Sequence, residues 1–193
     1  MKNRMYDPND FEQFYAQRIL NASAVDVERL ITEMFNRIPG WKAKTTPPSN
    51  DFGADIIAQS PIGIYAIQVK HWKGKVGNDA VQAVLGAMPV WKAKYAIVIT
   101  TGPGFTQSAK IQAQHAKVKL WGKRELAILY KASLGQSDLL SQLSLEYSVA
   151  PSFVLLAKRY WQLSKPVLSV MKKVPVHLWI LLVIIMIFIF NRH

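Results

Sequence analysis

Cysteine is absent from this 193-residue chain. Its absence excludes a disulfide scaffold, a thiolate metal centre and a cysteine nucleophile, and fits a reducing compartment. Acidic residues are scarce: 12 Asp and Glu stand against 24 Lys and Arg, a formal net charge of +12. The shortage is sharpest between Lys42 and Arg124, where twelve cations face only Asp51, Asp55 and Asp79. Such a surface attracts phosphate, on nucleic acid or on anionic lipid, unless it is simply a solvated face. No Gly-Lys-Ser/Thr follows the turn Thr100-Thr-Gly-Pro-Gly104, so this is no P-loop but a strand-to-helix connection. No internal repeat is visible. The opening MKNRMYDPND has no apolar run and does not read as a signal peptide.

What is present begins with apolar content. Half the residues are apolar, enough for one ordinary domain and something more. The excess lies at the end, where Val176–Phe190 reads VHLWILLVIIMIFIF. As a helix these residues span roughly 22 Å, short of a hydrocarbon core of ~30 Å. Starting at Val174 lengthens the span, and Lys172, Lys173 and Arg192 can snorkel over the rest. A transmembrane helix over 174–190 is therefore expected. Lys158, Arg159, Lys165, Lys172 and Lys173 precede it and only Arg192 follows, which puts the N-terminal body on the cytoplasmic side of a single-pass membrane protein.

The spacing of apolar residues and breakers predicts helices over Phe11–Leu20 and Val25–Ile38, the second ended by Pro39-Gly40. Strands follow at Trp41–Thr46, Ala54–Ala58 and Ile64–Lys70, the last two forming a hairpin around Ser60-Pro-Ile-Gly63. A helix capped by Asn78 or Asp79 runs to about Trp91. The continuous apolar run Tyr95–Thr100 suits a strand covered on both faces. A helix over Thr106–Lys117, a strand over Val118–Trp121 and a helix over Lys123–Leu129 complete an α/β sandwich with a mixed central sheet between helices. The division expected is a helical extension at 1–23, a core domain at 24–131, and a helical linker at 132–173. The linker includes the amphipathic stretch Phe153–Leu163, suited either to a membrane surface or to a plain connection.

Chemistry concentrates on the hairpin. Side chains alternate along a strand, so Ile64, Ala66, Gln68 and Lys70 share a face. Asp55 starts the partner strand, where Asp has poor propensity. A carboxylate, an amide oxygen and an ammonium at one end of a hairpin suit metal-assisted phosphodiester hydrolysis. Taken singly, Asp55 also reads as a turn residue bonding its own backbone, and Lys70 as a strand end fraying into the basic loop His71-Trp-Lys-Gly-Lys75. On the second helix, Glu28 lies roughly 80° from the centre of the apolar stripe and can reach the sheet edge, whereas Glu33, roughly 140° away, faces solvent. Asp51 reads as a structural turn residue, and neither His71 nor His115 has an evident partner.

The succession Gly40-Trp41, Asp51-Phe-Gly-Ala-Asp55-Ile-Ile, Ile67-Gln-Val-Lys70-His-Trp, Val76-Gly-Asn-Asp-Ala-Val-Gln-Ala-Val-Leu-Gly86, Ile97-Val-Ile-Thr-Thr-Gly102, Phe105-Thr106 with Ala109, and Leu120-Trp121 with Leu126 resembles the Mrr-type restriction endonuclease domain. That domain belongs to the PD-(D/E)XK nuclease superfamily, and the resemblance covers residues 24 to 130 or so. It implies a restriction-endonuclease-like sandwich and Mg²⁺- or Mn²⁺-dependent cleavage of DNA, often modified DNA. It further implies Asp55, Gln68 and Glu28 as metal ligands, the Gln68-x-Lys70 pair standing for the Glu-x-Lys of the wider superfamily. Val27 stands where the family often has Phe before its helix glutamate. No winged-helix recognition domain is evident, residues 1 to 23 being too short for one.

The function expected is that of a membrane-anchored, divalent-metal-dependent DNA endonuclease acting in restriction of foreign DNA. Asp55, Gln68, Lys70 and Glu28 form its catalytic set, and Lys73, Lys75 and Trp72 meet double-stranded DNA. A second copy of the chain is a candidate partner. The alternative is a catalytically inactive, membrane-tethered DNA-binding module, or a scaffold whose charge serves anionic lipid.

Overall fold

Capping chemistry and breakers set the helices. In the computed structural model, which describes residues 10–47, 49 and 51–143, Ser23 opens α2 (Ala24–Arg37). Its Oγ accepts from the Asp26 N–H at 3.1 Å and donates to the Asp26 carboxylate at 2.6 Å. Pro39-Gly40 then ends α2, with Gly40 at φ +84°. Ahead of it, α1 (Phe11–Phe14) widens into a π-helical turn at Tyr15–Ile19, where the sequence predicted unbroken α-helix. The wider turn accompanies a tertiary bond: the Tyr15 hydroxyl donates to the Thr101 carbonyl at 2.5 Å.

Among the described residues, five strands form one sheet in sequence order: β1 (Lys42–Thr45), β2 (Ile56–Ser60), β3 (Gly63–Lys70), β4 (Tyr95–Thr100) and β5 (Lys119–Trp121). The first three are antiparallel neighbours, while β3, β4 and β5 are parallel. The parallel pairs are joined by α3 (Asn78–Val90) and α4 (Gln107–Ala116), as parallel strands require. The last α-helix among the described residues, α5 (Lys123–Ser133), is followed by a 3₁₀ turn at Ser137–Leu143. The predicted α/β sandwich with a mixed sheet is what the chain forms. Two local expectations are corrected. Strand β2 starts at Ile56 and not Ala54, because the Ala54 N–H bonds to the Asp51 carbonyl at 2.9 Å and so belongs to the turn. Gly77, with no side-chain cap, precedes α3, so Asn78 and Asp79 already lie in its first turn.

The sheet separates two cores. On one face α1, α2 and α5 pack large side chains, among them Phe35, Trp41, Tyr65, Ile67, Trp121 and Leu126. On the other, α3 and α4 pack small ones: Ala66, Ala80, Val81, Val84, Val98 and Ala109. Leu140 and Leu143 of the closing turn join the first core, as do Phe11 and Phe14. At the outer edge, Asn36 of α2 clips β1: its Nδ2 donates to the Ala43 carbonyl at 3.0 Å and its Oδ1 accepts from the Ala43 N–H at 2.7 Å.

The chain divides into two units, Met1–Ser148 and Val149–His193, and all the described residues fall in the first. None of their helices is long and apolar enough to cross a membrane. The expected transmembrane helix at 174–190 and the linker from residue 144 onward lie outside the described residues.

Candidate active site

The two-residue turn Pro61-Ile62 fixes the hairpin register, with Ser60 opposite Gly63 and Ile56 opposite Ile67. One residue further out, the Asp55 N–H bonds to the Ile67 carbonyl at 2.8 Å, while its own carbonyl accepts from the Thr46 N–H at 2.9 Å. This anchoring from both neighbouring strands aims the Asp55 side chain at the end of β3. Its Oδ2 accepts from Gln68 Nε2 at 2.5 Å and from the Val69 N–H at 2.6 Å. Gln68 is only 6% exposed, with its Nε2 turned to Asp55. Lys70 ends the same strand, half-buried, opposite Thr100 of β4, whose hydroxyl donates to the Lys70 carbonyl at 3.3 Å. Asp55, Gln68 and Lys70 are thus brought together, as the hairpin spacing predicted.

Electrostatics draw in two more carboxylates. Burial pushes the Asp55 carboxyl up; the Val69 N–H and the Lys70 charge oppose this, and Asp51 adds to it. Glu28, half-buried on α2, is pushed up to about 7, first by burial and then by Asp55 and Asp51, against the Lys70 charge. Glu33 is exposed, as its helical angle implied. Asp51 does hold a turn, its Oδ1 accepting from the Gly53 N–H at 3.2 Å. Yet its charge is felt by both other carboxylates, a role its turn signal concealed. His71 has a partner that sequence could not show: its Nδ1 lies 2.7 Å from the Thr101 hydroxyl. Trp72, Lys73 and Lys75 are exposed on the loop after β3.

The donor set suits a small, hard divalent cation. Neither Asp55 Oδ1 nor Gln68 Oε1 accepts a hydrogen bond among the described residues, so one oxygen of each remains for a ligand. Such oxygens, with Glu28 nearby, match what Mg²⁺ or Mn²⁺ takes. No group of three or more His, Cys, Asp or Glu among the described residues forms a ready-made metal cluster.

Residues 19–130 match the Mrr_cat family, described as restriction endonuclease. No curated protein matches the chain. Among solved structures it is similar to the protein of unknown function AF1548, at 16% identity over 52% of this chain and 58% of that one, with a TM-score of 0.43. The MspJI restriction endonuclease in complex with a 27-mer oligonucleotide matches at 19% identity, over 71% of this chain and 34% of that one, with a TM-score of 0.42. The DNA modification-dependent restriction endonuclease AspBHI matches at 16% identity, over 71% and 38%, with a TM-score of 0.42. The chain therefore spans between 34% and 58% of the length of these three proteins.

Proposed function

From the premise that this chain belongs to the Mrr-type restriction endonuclease family, we propose that it is a divalent-metal-dependent endodeoxyribonuclease acting in restriction. On this reading it is tethered to the cytoplasmic face of a membrane by residues 174–190. The observation that supports hydrolysis is the convergence of Asp55, Gln68 and Lys70 at one strand end, with Glu28 within their field. Asp55 and Gln68 would hold Mg²⁺ or Mn²⁺ through their unpaired oxygens, with Glu28 directly or through water. The metal would supply Lewis-acid polarisation of the phosphate and a more acidic water. Lys70 orients the attacking water and offsets charge developing on the phosphoryl oxygens. Two N–H groups hold Asp55 Oδ2, which would orient the carboxylate for its role as a ligand. Lys73 and Lys75 contact the DNA backbone, which positions the strand without reading its sequence. A second copy of the chain as partner belongs to the same proposal.

Supercoiled plasmid incubated with the detergent-solubilised full chain and Mg²⁺ or Mn²⁺ tests it. Wild type is expected to nick. Lys70→Ala should lose roughly 10²-fold or more in rate while retaining DNA in a gel-shift assay. Equal cleavage by both proteins rejects the assignment. Retardation without cuts by wild type replaces it with the inactive, tethered DNA-binding module.

A further inference from the structure

Among the described residues, Phe52 and Trp72 are the exposed aromatics, at 54% and 63%; the others are buried or half-buried. Both border the site. Phe52 lies three residues before Asp55, and Trp72 two after Lys70. Because β2 and β3 are antiparallel, the start of one and the end of the other share one end of the sheet. The two residues rest on different supports. The Phe52 turn rests on α3: Trp91 Nε1 donates to the Asp51 carbonyl at 3.3 Å, and Gly53 packs so tightly that a Cβ there would stand 2.4 Å from the Ala83 carbonyl oxygen. Trp72 lines an open groove with Leu20, Asn21, Thr101 and Pro103, beyond the end of β4.

Neither ring is exposed by fraying. Phe52 is held at φ +50°, a left-handed conformation that a bulky residue rarely adopts, inside a turn closed by the Asp51 carbonyl and carboxylate. The backbone beside Trp72 is also fixed, since a Cβ on Gly102 would stand 2.2 Å from the Trp72 carbonyl oxygen. Two exposed aromatic side chains on fixed backbone thus stand at the same end of the sheet as Asp55 and Lys70, with Lys73 and Lys75 following Trp72. In a paired duplex the base faces are covered by stacking; only unpaired bases can offer them. Aromatic platforms in a basic groove are the general means of gripping such bases.

We propose that Phe52 and Trp72 stack on bases flanking the scissile phosphate, so that the preferred substrate is DNA with unpaired bases at the cut, a single strand or a melted bubble, and not intact duplex. This rests on the nuclease reading above and narrows its substrate class. Anionic lipid also welcomes aromatics and lysines, but it gives no use to a recessed Asp55–Gln68 pair at the same end of the sheet.

Binding is measured without turnover, by fluorescence anisotropy of labelled oligonucleotides with the detergent-solubilised full chain in Ca²⁺. The probes are a single strand, a perfect duplex and a duplex with a central run of mismatches. Wild type should hold the single strand and the bubble about tenfold or more tighter than the duplex. Trp72→Ala and Phe52→Asn should each weaken bubble binding about tenfold and weaken duplex binding much less; Asn tolerates the left-handed backbone, so the turn survives. Trp72→Phe and Phe52→Tyr should restore most of the loss. Variants that bind every probe like wild type overturn the proposal, as does a wild type that prefers duplex. It is also overturned if the variants lose only affinity for phosphatidylserine vesicles, which assigns the rings to lipid. Should the preference for unpaired DNA hold while Mg²⁺ yields no cleavage of any probe, the stacking proposal stands and the hydrolytic reading falls.

Discussion

The two faces of the sheet are built on different scales. On the α1/α2/α5 side, large rings set the spacing: Phe35 stacks on Trp41 and Trp121 at centroid distances of 5.0 and 6.1 Å, and Tyr65 meets Trp41 at 5.1 Å. On the α3/α4 side, alanines and valines let backbones approach, to the point where Gly53 admits no side chain against Ala83. A strand buried on both faces carries both scales, as β3 does with Tyr65, Ile67 and Val69 facing one core and Ala66 the other. The candidate site lies at the end of the sheet where the two layers meet. The thick layer brings Glu28 on α2, and the thin layer holds the turn carrying Asp51 and Phe52. Each layer thus sets the position of one carboxylate relative to Asp55.

If that contrast is real, substitutions should divide by face. Phe35→Ala, in the thick layer, should cost about 3–5 kcal/mol in urea unfolding, against about 2 kcal/mol for Val84→Ala in the thin one. Equal costs would erase the distinction. Gly53→Ala combines a clash with φ +91° and should cost about 1–3 kcal/mol while displacing the Asp51 turn. Plasmid nicking should fall with it, and unaltered nicking would show that the thin layer does not position the site.

The carboxylates give a smaller, pH-dependent effect. The Glu28 carboxyl sits at about 7 in the folded chain, above its ordinary value of 4.5, so folding binds protons between those values. Its contribution is complete below 4.5 and is lost as pH rises through about 7. Metal-free protein should therefore lose melting temperature over that window, Glu28→Gln should flatten the loss, and Mg²⁺ should oppose it. A melting temperature that climbs with pH in chelator contradicts this crowding of acids. The smallest effect is a gain: Gly86 of α3 has open space around its Cβ position, and Gly86→Ala should stabilise by about 0.5–1 kcal/mol.

Much of the fold was legible because strong local signals agreed with the tertiary outcome. The apolar run Tyr95–Thr100 is β4 residue for residue, and Pro39-Gly40 does end α2. The closeness of Asp55, Gln68 and Lys70 was legible too, since a tight hairpin turns a spacing in sequence into a distance in space. What escaped depends on partners remote in the chain. The π-helical turn accompanies a bond from Tyr15 to Thr101, and the His71 contact joins two loops across the end of the sheet. The start of β2 depends on Asp51 closing a turn onto Ala54. The outward pose of Phe52 follows from a left-handed backbone pinned against α3, which no propensity announces.

The Asn36 clip has a consequence for assembly. A border strand normally displays bare amides and carbonyls that can recruit a foreign strand, the usual first step of sheet-to-sheet aggregation. Here one carboxamide engages both outward groups of Ala43, between Lys42 and Lys44, so the hydrogen-bonding sites at the middle of that border are already filled from within the molecule. Replacing Asn36 with an aliphatic residue would leave the chemistry at the far end of the hairpin untouched and make this border a nucleus for sticking to other copies.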